Sequence, residues 1–166
     1  MYQPYPQAKF ASLNRDWRFQ ELAQHICSQA ESPPFVTDLA RVAALPNEAR
    51  TLYFLWMFYC EAGAGGIEVF LLEPQGVFTP QIHEALRSVG ASELVERLEA
   101  GIPHALASGC AEFSASSDVS WFRQFHANPK YPTLQSTDAG VPDLVGDNLR
   151  DKANAYVEAQ REVLVA

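Results

Sequence analysis

A chain of 166 residues, 48% of them hydrophobic, is long enough to bury a core without staples and too apolar to be disordered. Its net charge of −8 repels nucleic-acid phosphates and anionic headgroups and favours basic partners, which argues against direct nucleic-acid or membrane-surface binding. The longest apolar run, Leu52 to Cys60, is far short of the ~20 residues of a membrane-spanning helix. The start, Met1-Tyr2-Gln3-Pro4, lacks the basic and apolar parts of a secretory signal. Three cysteines (Cys27, Cys60 and Cys110), odd in number and widely spaced in apolar context, read as buried thiols of a reducing cytoplasm rather than a disulfide framework.

Residues 1–14, rich in Pro and Tyr, read as an irregular lead-in to a single helical domain over 15–166. From Asp16, the spacing of Trp17, Phe19 (or Leu22), Ile26 and Ala30 predicts a helix whose stripe faces a core, ended by Ser32-Pro33-Pro34. Thr37-Asp38 predicts the cap of a short helix through Leu45. A central helix over 48–62 follows, entered at Pro46-Asn47. Its residues Leu52 to Tyr59 leave no polar side, so it should be surrounded by other elements. Aromatic content offers a strand as the competing reading, but length and the helix-forming Glu48-Ala49-Arg50 favour helix. Gly63, Gly65 and Gly66 are expected to stop it, and a short helix, Ile67 to Leu72, follows.

Thr79 as cap, Pro80 at the first helical position and Gly90 as stop mark the next helix, with Ile82, Ala85, Leu86 and Val89 inward. Ser92 caps another, Glu93 to Leu106, with Leu94, Val95, Leu98 and Ile102 buried and Pro103 kinking or ending it. The short link makes the two antiparallel neighbours. Asp118 to His126 predicts a short helix around Trp121, Phe122 and Phe125, and 128–142 a Pro-rich loop. A last amphipathic helix, Asp147 to Val165, turns Leu149, Ala153, Tyr156, Val157 and Val163-Leu164 inward. The fold class is therefore all-α, about six to eight helices around the 48–62 helix.

The residues that carry chemistry are sparse. The Gly63–Gly66 turn lacks the strand and Lys-Ser/Thr context of a phosphate loop and lies among Glu61, Glu68 and Glu73. Glu61, at the junction of helix and turn, is read first as a cap for the free N–H groups of the Ile67 helix, and second as a general base in a cleft. No metal or other cofactor is expected. His25 and Cys27 do not share a helix face, and His83-Glu84 is followed by Arg87 rather than a second histidine. His104 and His126 are isolated. Charge is the remaining signal. Residues 48–112 hold nine carboxylates against three arginines, while residues 1–47 balance. Glu93, Glu96 and Glu99 step along one helix, with Glu84 on its neighbour; Arg97 stands at pairing distance from Glu93. Duplex DNA carries one charge per ~1.7 Å, so imitating it takes on the order of a dozen spaced carboxylates. One copy has barely enough, and a homodimer would double the array.

At Glu61-Ala62-Gly63-Ala64-Gly65-Gly66-Ile67, with Phe70, Gly76, Ala85-Leu86 and Gly90-Ala91 beyond, the chain resembles a bacterial all-helical domain of unknown function that includes the acidic DNA-mimic proteins of the Neisseria type. In that family a Glu-Val-Asn-Asn-Gly-Gly-Phe-like segment leads into an aromatic helix and an Ala-Leu-x-x-x-Gly-Ala-like helix end. Here Gly63-Ala64 replace the two asparagines and Ile67 the aromatic. The resemblance covers roughly 48–106. It implies an all-α fold and, for the DNA-mimic member, binding to a transcription factor through an acidic face.

Together these readings describe a non-enzymatic cytoplasmic protein that binds a protein partner, a basic DNA-binding regulator, through Glu68, Glu73, Glu84, Glu93, Glu96 and Glu99. The alternatives are an immunity- or antitoxin-like binder using an apolar surface and the loop around Tyr131, and a small hydrolytic enzyme with Glu61 in a cleft.

Overall fold

The apolar run that opens at Leu52 forms the axis of the molecule. In the computed structural model, which describes residues 2–30, 39–72, 78–107 and 144–166, it lies in helix α4, Asn47–Leu72. Before it come α1 (Gln7–Ser12), a 3-10 turn (Arg15–Trp17), α2 (Arg18–Ala30) and α3 (Leu39–Ala43). After it come α5 (Thr79–Ser88), α6 (Ser92–Ala107), a single π turn (Leu144–Asn148), α7 (Leu149–Ala159) and α8 (Arg161–Leu164). The only extended pairing among the described residues is an isolated bridge, Tyr5 to Val165. The fold is all-α.

Helix α4 touches α2, α5, α6, the π turn, α7 and α8. Ala49, Leu52, Tyr53, Leu55 and Phe58 are at most 1% exposed, which is what a helix apolar on every side requires of its neighbours. Its end differs from the sequence expectation. Gly63, Ala64 and Gly65 remain helical, and the break comes at Gly66, with φ 84° and ψ 169°. That conformation is essentially reserved for glycine. The three glycines are therefore not one turn: a single position carries the whole change of direction. Phe58 and Phe70 lie on either side of it with ring centroids 5.3 Å apart, edge to face. Twelve residues of straight helix would separate them by ~18 Å, so the segment after Gly66 folds back against the first.

Helix α2 buries Phe19, Leu22, Ala23, Ile26 and Ala30. Trp17, expected in that stripe, is 53% exposed, because the chain at Arg15–Trp17 winds as a 3-10 turn that rotates it out of register. The N-terminal 14 residues are not irregular either. Pro6 leads into α1, which buries Phe10, and Tyr5 pairs with the C-terminal end: Tyr5 N–H donates to Leu164 O at 2.8 Å and Ala166 N–H to Tyr5 O at 2.9 Å. The Arg18 and Arg161 guanidinium carbons lie 4.6 and 5.0 Å from the Phe10 ring centre, and Arg18 pairs with Glu158.

The expected last helix is two, α7 and α8, preceded by the π turn. Leu149, Ala153, Val157 and Leu164 face inward as read, Tyr156 is half-buried, and Val163 is exposed. Thr79 and Ser92 are first helical residues rather than caps; Phe78 precedes α5, and Ala91 O accepts the first α6 bond from Val95 at 3.1 Å. Helix α6 runs through Pro103 to Ala107. Of the cysteines, Cys60 is exposed and Cys27 half-buried, not buried as expected. The Thr37-Asp38 cap, Cys110, the 118–126 helix and the 128–142 loop lie outside the described residues.

Candidate protein-binding surface

The acidic residues singled out by sequence converge on the α5–α6 hairpin, whose turn is fixed in detail. Gly90 adopts φ 68°. Its N–H donates to Arg87 O at 3.0 Å, and the Ala91 N–H donates back to Leu86 O at 2.9 Å. These two bonds, with Leu86 and Ala91 both buried, constitute a Schellman motif and satisfy carbonyls a helix end otherwise leaves open. Lys152 of α7 donates to Gly90 O at 2.9 Å, so the turn is also tied to the far end of the chain.

On this hairpin Ile82, Ala85, Leu86, Leu94, Val95 and Leu98 point inward, and the periodicity leaves Glu84, Glu93, Glu96 and Glu99 exposed. They are not equivalent. Glu99 Oε1 lies 2.6 Å from His83 Nε2 and 3.4 Å from Arg87 Nη2, so its carboxylate has local partners, Arg87 supplying the opposite charge. Glu84, Glu93 and Glu96 hold no ion pair among the described residues. Glu68 follows Gly66 in α4, and Glu73 lies outside the described residues. Four of the six thus lie on this hairpin.

The His83–Glu99 pair escaped the sequence reading. The signal was present, since the two residues lie symmetrically about Ala91 and an antiparallel hairpin turned there sets such positions face to face.

Glu61 does not occupy a helix start. The chain is helical on both sides of it up to Gly66, and no hydrogen bond reaches its carboxylate among the described residues. Half-buried, it is held above the usual carboxylate pKa by burial, opposite to the effect of accepted N–H bonds. The capping role is therefore not what the geometry shows. Nor does Glu61 line the space of about 300 Å³ between the first turns of α4, the face of α5, and Tyr156 of α7. No histidine lines that cleft. Among the described residues no group of three or more His, Cys, Asp or Glu is placed to hold a metal ion, and no helix is long and apolar enough to cross a membrane.

The family model described as DMP19-like protein matches residues 43–160, well over half of the chain, and the chain belongs to that family. The match reaches beyond the 48–106 of the resemblance and takes in α7. No curated protein and no solved structure matches the chain.

Proposed function

We propose that this chain is a non-enzymatic protein-binding domain that acts as a DNA mimic, setting the exposed carboxylates of α5 and α6 against the DNA-binding surface of a basic regulator. The observation that carries this reading is the presence of Glu84, Glu93 and Glu96, exposed and without ion pairs among the described residues, on a hairpin whose turn is locked by Gly90 and Lys152. Charges held on a rigid element pay less on binding than charges on a mobile one. Membership of the DMP19-like family supports the same reading. A homodimer would extend the array toward the charge count of a DNA turn.

The mechanism is electrostatic and so sensitive to salt. The screening length shrinks from about 10 Å at 0.1 M to about 3 Å at 1 M. Binding to a basic partner should weaken by on the order of tenfold or more over that range. Reversing Glu93 and Glu96 to lysine should weaken it by a similar factor at low salt and flatten the salt dependence. Binding indifferent to salt and to both reversals would reject the mechanism.

A further inference from the structure

The cleft between α4, α5 and α7 is polar and shares only Glu84 with the acidic surface. Its α4 wall carries Arg50, Thr51 and Phe54, its α5 wall Gln81 and Glu84, and Tyr156 enters from α7. Arg50 and Glu84 bring opposite charges into one space yet form no ion pair with each other. The Arg50 guanidinium is steadied by Asn47 Oδ1, and the Glu84 carboxylate has no partner among the described residues. Opposite charges that share a cleft without meeting leave room for a ligand carrying the complementary pair.

We infer that this cleft binds a free α-amino acid with an uncharged polar side chain, its carboxylate on Arg50 and its ammonium on Glu84. Size supports the assignment. About 300 Å³ holds roughly ten waters at ~30 Å³ each, and therefore a molecule of about ten non-hydrogen atoms. Guanidinium and carboxylate make a charge-assisted pair at one end. At the other, the ammonium meets Glu84. Phe54 supplies an apolar wall; the Thr51 and Tyr156 side chains already hydrogen-bond each other, so Gln81 and the remaining capacity of that hydroxyl pair are what meet a polar side chain.

The test is thermal unfolding of the full chain with L-glutamine, L-serine or L-asparagine at 10 mM. The controls are the same concentrations of a simple amine and a simple carboxylate, separately and as an equimolar mixture. For a dissociation constant of ~1 mM, the amino acid that fits should raise the melting temperature by about 3 °C. The separate ions should not. Arg50→Gln and Glu84→Gln should each abolish the shift while lowering the unliganded melting temperature by no more than a few degrees, because Glu84 is exposed and Arg50, half-buried, loses only its bond to Asn47. No shift with any of the three amino acids, or a shift retained in both variants, would overturn the assignment. Arg50 is not part of the acidic face, so loss of ligand binding in Arg50→Gln with partner binding intact separates this site from the DNA-mimic surface.

Discussion

Asn154 Oδ1 accepts the backbone N–H of Phe19 at 2.8 Å, and Asn154 Nδ2 donates to Asp16 O at 3.3 Å. One side chain of α7, 5% exposed, thus satisfies a donor at the start of α2 and a carbonyl of the 3-10 turn before it. The first turn of a helix has N–H groups without intrahelical partners, and here a residue more than a hundred positions away serves as the cap. The consequence is that both ends of the chain stabilise each other through a polar contact as well as through Phe10 and the Tyr5–Val165 bridge.

Asn154→Ala should therefore lower stability by about 1–3 kcal/mol, since it leaves buried backbone groups unpaired. Asn154→Asp keeps the acceptor for Phe19, so its loss should be smaller at a pH low enough to protonate the new carboxylate, which when ionised would bury a charge against the Asp16 carbonyl. Chemical denaturation of the two variants beside the parent checks both. Equal effects, or none, would mean that the contact does not cap α2.

Gly66 and Gly63 should respond oppositely to alanine. At Gly66 the backbone conformation is one that L side chains rarely adopt, so Gly66→Ala should cost about 1–3 kcal/mol. At Gly63 the backbone is helical, and an added Cβ would meet Val145 Cγ1 at 3.5 Å, an ordinary contact. Gly63→Ala should therefore be neutral or stabilise by up to ~1 kcal/mol. Urea midpoints of the pair decide it. A destabilising Gly63→Ala would restore the idea that the whole glycine run forms a turn.

Glu61 makes a prediction about pH. Burial raises its pKa in the folded chain above the ordinary 4.5. Below the unfolded-state value both states are protonated, and the folded state loses nothing. As pH rises through the raised folded value, the folded protein must ionise a half-buried carboxylate that the unfolded chain ionises freely, so this contribution to stability declines and then levels off. Glu61→Gln should remove that decline, making the variant at least as stable as the parent at pH 7 and bringing the two together near pH 4. A capping carboxylate would give the reverse, with the parent gaining on the variant as pH rises. Denaturation midpoints measured from pH 4 to 8 separate these cases.

Cys60 stands next to Glu61 and is exposed, yet desolvation, with the Glu61 charge added, pushes its thiol up to about 11. Only the thiolate reacts, so modification of Cys60 by a disulfide reagent at pH 8 should be slower than for an unperturbed cysteine by on the order of 100-fold. Glu61→Gln should recover part of the rate. Fast labelling in the parent would show that the sulfur sits in water.

Much of the core could be read from period alone: Leu52 to Leu55 with Phe58, Ile82 with Leu86, Leu94 with Leu98, and Leu149 with Ala153 and Val157 all face inward. These are long segments in which hydrophobic spacing dominates the local choice. What escaped depends on contacts distant in sequence. Trp17 turns outward because a 3-10 turn, held by Asn154, precedes α2, and no local pattern announces that. Residues 2–14 gain order from the C-terminal segment, which a reading along the chain meets only at the end. The glycine run held the right break but three candidates for its position, and only the backbone geometry selects Gly66. At the surface, the spacing of Glu93, Glu96 and Glu99 showed their exposure but not that Glu99 is answered by His83 and Arg87.

The central claim is that the exposed carboxylates of α5 and α6 stand in for DNA, and competition tests it most directly. Partners captured by the immobilised full chain from its native host lysate would be eluted with excess duplex DNA and, in parallel, with buffer of equal ionic strength. The account predicts a basic DNA-binding protein released by the DNA and not by the buffer, and no capture by the Glu93→Lys, Glu96→Lys double variant. A partner that stays bound in excess DNA and is captured equally by the double variant would contradict it.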